Sequence, residues 1–425
     1  MKAQELIQKI KDGALGAYSH LYGDLADQSA RYVAAIESFT AIYGEDREVF
    51  LFSVPGRTEV EGNHTDHNHG CVLAAAIDRD IIAVVSPSDT GNIRLKSEGY
   101  DEDVVALDQC GDPALFPDFS SASLIAGTVN AFRERGYAVG GFDAYTVNRV
   151  LKGSGLSSSA AFEVMIGNIL NHLFNNGKIA NEELAKIAQY AENVYFGKPC
   201  GLMDQMACAV GGFVFIDFAD PKNPVIEPIS FSLSDEGFVL AIVNTGGNHA
   251  DLNADYASVP AEMKSVAAYF GKEVLRGIDE SEIVANAPIL RRAVGDRAIL
   301  RALHFVRENA RVEETAAFLK AGDVNGFLSS VIASGDSSFK YLQNVYTTKN
   351  VEEQGLSLAL AVAEGALKGK GCAYRVHGGG FAGTTQAVVR REYAEEYALL
   401  MNAVFGDGAC MTLSIRPEGA VEIKL

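Results

Sequence analysis

Apolar positions along the chain follow two periods, alternation in short runs and a three-to-four residue repeat in longer ones, which separates candidate strands from candidate helices. MKAQELIQKIKDG reads as an amphipathic polar helix, and residues 26–43 carry Val33, Ile36 and Phe39 at helical spacing. EVFLFSVP predicts a buried strand ending at Pro55, followed by strands at CVLAAAI, IIAVVSP, NIRLKS and DVVALD. LIAGTVNAFRERG predicts a helix stopped by glycine. FDAYTVNRVL alternates like a strand and runs into GSGLSSSA, after which AFEVMIGNILNHLF predicts a helix. EELAKIAQYAENVYFG predicts another helix and GGFVFIDF a strand. The turn-rich PKNPVIEP then interrupts the pattern, which restarts at FVLAIVNTG. A long helical region over about 256–368 precedes AYRVHGGGFAGTTQAVVR and a closing pair of short strands. Mixed strands and helices broken near 225 predict two α+β domains, 1–225 and 226–425.

Composition narrows the function classes. The 425 residues are 48% apolar, enough for two packed cores. A net charge of −19 opposes a nucleic-acid backbone, so no nucleic-acid partner is expected. No apolar run approaches the roughly 20 residues that span a bilayer, and the first residues lack the apolar core of a signal peptide. Six scattered cysteines without a CxxC pair fit reduced thiols. A cytoplasmic, monomeric globular protein with no membrane partner is the expectation.

Three stretches carry candidate chemistry. GSGLSSSA, residues 153–160, sits between a predicted strand and a predicted helix. Small residues there let the backbone approach a ligand, and free amides at a helix start attract anions. The serine hydroxyls add donors for phosphate oxygens and an oxygen ligand for Mg²⁺. No lysine closes the loop, so it is not a Walker-type P-loop, and a capped tight turn is the plain alternative. HGGGFAG, 377–383, is a second loop of this kind, far off in sequence. GNHTDHNHG, 62–70, packs three histidines, an aspartate and two asparagines into nine residues. Taken alone it fits either a transition-metal site or a pocket for polar hydroxyls.

With VPGRTEVEGNHTDHNHG (54–70), GSGLSSSA, CGLMDQ (200–205) and HGGGFAG in this order, the chain resembles the GHMP family of small-molecule kinases, and within it the galactokinases. The resemblance runs from about residue 30 to the C-terminus, and RALHFVRENARV is similar to a galactokinase helix that precedes the last glycine loop. It implies a two-domain GHMP fold, an N-terminal domain like ribosomal protein S5 domain 2 and a ferredoxin-like C-terminal domain, with the site between them. It further implies transfer of the γ-phosphoryl group of ATP to the C1 hydroxyl of a galactose-type sugar. Asp204 is matched to the catalytic aspartate that takes the hydroxyl proton, and Arg57 to the arginine beside it. Asn63, His64, Asp66, Gly201 and Tyr256 are matched to the sugar pocket, which moves the histidine-rich stretch away from the metal alternative. Gly153, Ser154, Gly155, Leu156, Ser157 and Ser158 are matched to the phosphate loop, and Ser159 and Glu192 to the ligands of Mg²⁺.

The chain also departs from the galactokinase pattern. Asn63 replaces a glutamate that is matched to the sugar's C6 hydroxyl, while Glu59 stands where asparagine is common. His67 replaces a tyrosine, Leu151 a proline, and Ala382 and Thr384 alter the last loop. An amide can donate as well as accept, so Asn63 opens the pocket to a C6 carboxylate and makes galacturonate a competitor to galactose. A sugar and ATP sensor without catalysis is a further alternative, opposed by the intact Ser159–Ala160, Asp204 and Arg57.

Overall fold

The computed structural model describes residues 1–150, 155–198, 200–247 and 252–425. Among them two sheets form. The larger has eight strands, ordered Val421–Ile423, Phe50–Glu61, Cys71–Ser88, Gly141–Asn148, Asn92–Ser97 and Glu102–Ala106; Phe213–Asp217 pairs with the start of Cys71–Ser88, and Val225–Ile229 with Phe213–Asp217. All neighbours are antiparallel except Asn92–Ser97 and Gly141–Asn148, which run parallel. The smaller sheet is antiparallel, in the order Cys410–Leu413, Phe238–Asn244, Thr384–Arg390, Ala373–His377.

The central strands of the large sheet are apolar on both faces because both faces are covered. Phe52, Val54, Ala83, Val85, Phe142 and Ala144 point into a core shared with the helices Ser121–Glu134, Ser158–Asn175, Asn181–Tyr190 and Met203–Val210. Leu51, Ile82, Val84, Tyr145 and Val147 point the other way, onto the N-terminal helices Ala3–Lys11 and Leu25–Tyr43. Those helices therefore seal a sheet face that would otherwise expose a broad apolar surface.

Cys71–Ser88 is one strand of 18 residues, not the two that its sequence predicts. The interrupting residue Asp80 is buried because remote cations meet it: Arg31 Nη1 lies 2.5 Å from Oδ1 and Arg416 Nη1 3.3 Å from Oδ2. Phe50–Glu61 likewise continues past Pro55, with register shifts at Pro55/Arg57 and Glu59/Glu61. A helix at Arg391–Phe405 was not predicted.

Val225–Ile229, whose first residue is the expected domain boundary, still belongs to the large sheet. The chain then builds the smaller sheet and the helices Asn253–Tyr269, Glu280–Ala293, Asp296–Ala321, Val324–Ser337 and Gly355–Leu367, and returns to the large sheet at Val421–Ile423. Among the described residues no helix is long and apolar enough to cross a membrane.

Candidate active site

The strand Phe50–Glu61 supplies the floor of the site. Gly56 lets the serine loop lie directly on it: a Cβ there would sit 2.7 Å from the Leu156 carbonyl oxygen and 2.8 Å from Val150 Cγ1. The Arg57 amide donates to that same carbonyl at 3.1 Å. Leu156 buries its side chain completely, so its part in the loop is played by its backbone. Gly153, Ser154 and Leu151 lie outside the described residues.

Arg57 and Asp204 meet across this loop. Arg57 Nε donates to Asp204 Oδ1 at 2.8 Å, Arg57 Nη1 donates to the Gly155 carbonyl, and Ser157 Oγ donates to Asp204 Oδ2 at 2.5 Å. Ser157 reaches Asp204 from a left-handed backbone, φ 58°, one residue before the helix Ser158–Asn175 begins. Burial alone would raise the Asp204 carboxyl, but the Arg57 charge and the hydrogen bonds from Arg57 and Ser157 outweigh it and hold it below the ordinary carboxylate range. The pair is therefore an ionised carboxylate clamped against a guanidinium.

Beside the serine loop lies a set of hard oxygen donors. Ser159 Oγ donates to Glu192 Oε1 at 3.3 Å, Gln205 Nε2 donates to Glu192 Oε2 at 2.6 Å, and Lys198 Nζ lies 3.0 Å from Glu192 Oε1. Two oxygens this close, one of them a carboxylate, fit a Mg²⁺ ion, which prefers such ligands and completes its shell with water and phosphate. Glu192 sits where the helix Asn181–Tyr190 loosens into a π-helical segment, Ala191–Phe196.

The histidine-rich stretch curls into a tight loop whose side chains take different directions. Asp66 Oδ2 lies close to Gly201, where an added Cβ would stand 2.9 Å away, so the CGLMDQ segment and the HTD segment touch at this glycine. His64 Nε2 is 2.9 Å from the Gly379 carbonyl oxygen, and burial lowers its pKa to about 4, leaving it neutral with Nε2–H as the donor. Tyr256 donates its hydroxyl to the Gly380 carbonyl at 2.8 Å and packs edge-on against Phe381 at 5.3 Å, bracing the last glycine loop. The loop borders an open cavity of about 140 Å³ lined by Glu59, Asn63, His64, Asp66, Met203 and Gly379 among others; Gly201 and Tyr256 do not line it. Asp66 and His67 also border a neighbouring cavity of about 310 Å³ that reaches Gly201. Met203 adjoins Asp204 and Glu59 follows Arg57 by two residues, so the small cavity opens next to the ion pair.

The Asn63 amide has no proton to spare for a ligand. Its Nδ2 donates to Glu59 Oε1 at 2.8 Å and to the Gly378 carbonyl at 2.6 Å, and its Oδ1 accepts from Asn344 Nδ2 at 2.6 Å. The expectation that Asn63 welcomes a C6 carboxylate as a donor is corrected accordingly.

One helix supports the loop from below. In Asp296–Ala321, His304 Nε2 lies 2.9 Å from the Asn63 carbonyl oxygen, Glu308 Oε1 accepts from the Gly62 amide at 3.2 Å, and Asn309 Oδ1 accepts from the Cys71 amide at 2.8 Å. The spacing of 304 and 308 puts both side chains on one helix face. Neither was singled out from sequence, although the polar HxxxEN pattern inside RALHFVRENARV carried the signal. His377 was missed too. It bridges Thr58 Oγ1 at 3.1 Å and Thr384 Oγ1 at 2.8 Å, tying the floor strand to the smaller sheet.

The arrangement sets an ionised aspartate and a serine loop near a small cavity, with a hydroxyl–carboxylate pair, Ser159 and Glu192, alongside. A family model for the galactokinase galactose-binding signature matches residues 37–87, and one for the GHMP kinases N-terminal domain matches residues 121–212. A curated galactokinase from Streptomyces coelicolor is 34% identical over 358 residues, covering 83% of this chain and 87% of the relative. The chain belongs to the galactokinase family. A galactokinase from Lactobacillus helveticus is 29% identical over 378 residues, covering 88% of this chain and 93% of that relative. Among solved structures, that of Lactococcus lactis galactokinase complexed with galactose superposes with a TM-score of 0.75 at 24% identity, covering 91% of this chain and 98% of the other. A mevalonate kinase superposes with a TM-score of 0.61 at 15% identity, covering 87% and 99%. The family is thus an ATP-using sugar kinase on the two-domain GHMP kinase fold.

Proposed function

We propose that this chain phosphorylates galactose at its C1 hydroxyl, with ATP as donor, giving galactose 1-phosphate and ADP. The observation that carries the reading is the Arg57–Asp204–Ser157 cluster, with Nε to Oδ1 at 2.8 Å and Oγ to Oδ2 at 2.5 Å, whose chain neighbours Glu59 and Met203 line a cavity of about 140 Å³. In this reading the site lies between two domains divided near residue 225, a division supported by the larger sheet ending its run at Val225–Ile229 before the smaller one begins.

The chemistry follows from these groups. Asp66 and His64 hold ring hydroxyls, with Gly201 leaving room for the sugar edge beside Asp66 and Tyr256 keeping the Gly379–Phe381 loop in place. The C1 hydroxyl donates to Asp204. A carboxylate held low by Arg57 is a weak base, so it orients the hydroxyl first and receives the proton late. By then the new oxygen–phosphorus bond has made that hydroxyl more acidic. The bond from γ-phosphorus to the bridging oxygen breaks as the new one forms, and ADP leaves with that oxygen. Arg57 offsets the charge spreading over the transferring group. Gly153 to Ser158, the stretch matched to the phosphate loop, would hold the phosphates through backbone amides and hydroxyls, helped by the helix that starts at Ser158. Ser159 and Glu192 would hold Mg²⁺, which screens the phosphate charge when bound. Closure of the site excludes water and limits loss of ATP to hydrolysis.

Coupled ADP release with galactose, and phosphorus NMR of the product, test the reading. Galactose-dependent ADP formation with phosphate on C1 is expected. Sugar binding with no ADP release would instead indicate a sensor.

A further inference from the structure

A carboxylate and an amide have changed places in the strand that enters the sugar loop. The galactokinase resemblance matches position 63 to a glutamate at the sugar's C6 hydroxyl and position 59 to a common asparagine; this chain has Asn63 and Glu59. The two side chains touch, Asn63 Nδ2 donating to Glu59 Oε1 at 2.8 Å. Every polar atom of the Asn63 amide is occupied within the protein, by Glu59, Gly378 and Asn344. Glu59 lines the cavity, and its second oxygen, Oε2, accepts no hydrogen bond from any described residue. Behind it the fully buried Arg375 guanidinium lies 3.5 Å from Oε1. The carboxylate lost at 63 is therefore regained at 59, with one oxygen anchored and one available.

We propose that Glu59 is the residue that reads the sixth carbon of the sugar, accepting the C6 hydroxyl on Oε2 and excluding sugars that carry a carboxylate there. The inference rests on the galactose reading and names the group that sets its selectivity. An acceptor fixed in a small cavity favours a hydroxyl donor over a hydrogen, because an analogue without the hydroxyl leaves the carboxylate unpaired. A uronate would place two negative charges side by side. Glutamine at this position keeps Oε1 for Asn63 and turns an amide donor into the cavity, reversing the preference for a carboxylate.

The test compares kcat/KM for galactose, 6-deoxygalactose and galacturonate in the native enzyme, Glu59→Gln and the exchange variant E59N/N63E. Assays run at pH 8, since burial pushes the Glu59 carboxyl up and alkaline buffer favours its ionised form. Galactose turnover by the native chain checks the underlying activity separately. In Glu59→Gln the galacturonate-to-galactose ratio should rise on the order of 10- to 100-fold, and the galactose-to-6-deoxygalactose ratio should fall by a similar factor. The exchange variant should recover the native ratios. Equal losses for all three sugars in Glu59→Gln would show a structural role only and overturn the proposal. Should that variant not fold, Glu59→Asp decides: a lowered galactose-to-6-deoxygalactose ratio supports the proposal, and unchanged ratios with intact turnover overturn it.

Discussion

Arg57 and Asp204, 147 residues apart in the chain, form an ion pair of 2.8 Å, and the guanidinium holds the carboxylate in its charged form. Removing it leaves burial as the largest influence on Asp204, and burial acts upward. Arg57→Ala is therefore expected to move the acid limb of the kcat/KM profile to higher pH, besides lowering kcat on the order of 100-fold or more. A pH series of steady-state kinetics checks this. An acid limb that stays in place in the variant would mean that Arg57 does not govern the ionisation of Asp204.

Two buried carboxylates under the sugar loop predict a pH-dependent stability. Burial, with the neighbouring Glu308 charge adding to it, pushes Glu61 up to about 8 from the usual 4.5, while Glu308 is held low chiefly by charges around it. Burial thus favours the protonated form of Glu61 in the folded protein. A carboxyl raised on folding contributes stability that is full below 4.5 and lost as pH rises through about 8. Glu61→Gln removes this titration. The variant should melt several degrees higher than the parent at pH 8.5 and show little advantage at pH 5. Calorimetry at the two pH values measures the difference.

Gly56 predicts a coupled loss of stability and nucleotide binding. An added methyl would press on the Leu156 carbonyl at 2.7 Å and on Val150 Cγ1 at 2.8 Å, and the serine loop would have to lift off the strand. Gly56→Ala should cost about 1–3 kcal/mol and raise KM for ATP more than KM for galactose. Denaturant unfolding and a two-substrate kinetic matrix give both numbers.

Much of the site was legible because its signals are local. The SSA that ends GSGLSSSA opens the helix Ser158–Asn175, CGLMDQ leads into Met203–Val210, and the aspartate and arginine picked out by resemblance come into contact. What stayed hidden depends on partners far off in sequence. Asp80 reads as a strand break because Arg31 and Arg416, which neutralise it, are remote. Asn63 reads as a free donor because Asn344 and Gly378, which consume its amide, come from the other half of the chain. The covering role of Ala3–Lys11 and Leu25–Tyr43 was likewise invisible until Leu51, Val84 and Val147 were seen to point at them. Periodicity marks which side chains are buried, but not what they are buried against.

The most direct measurement of the central claim pairs two readouts on Asp204→Asn, an isosteric change that removes the charge. Galactose binding by calorimetry and galactose-dependent ADP release are measured on the same preparation. The account predicts turnover lower on the order of 10³-fold with a galactose Kd within about threefold of the parent. Retention of more than a tenth of native turnover would contradict it.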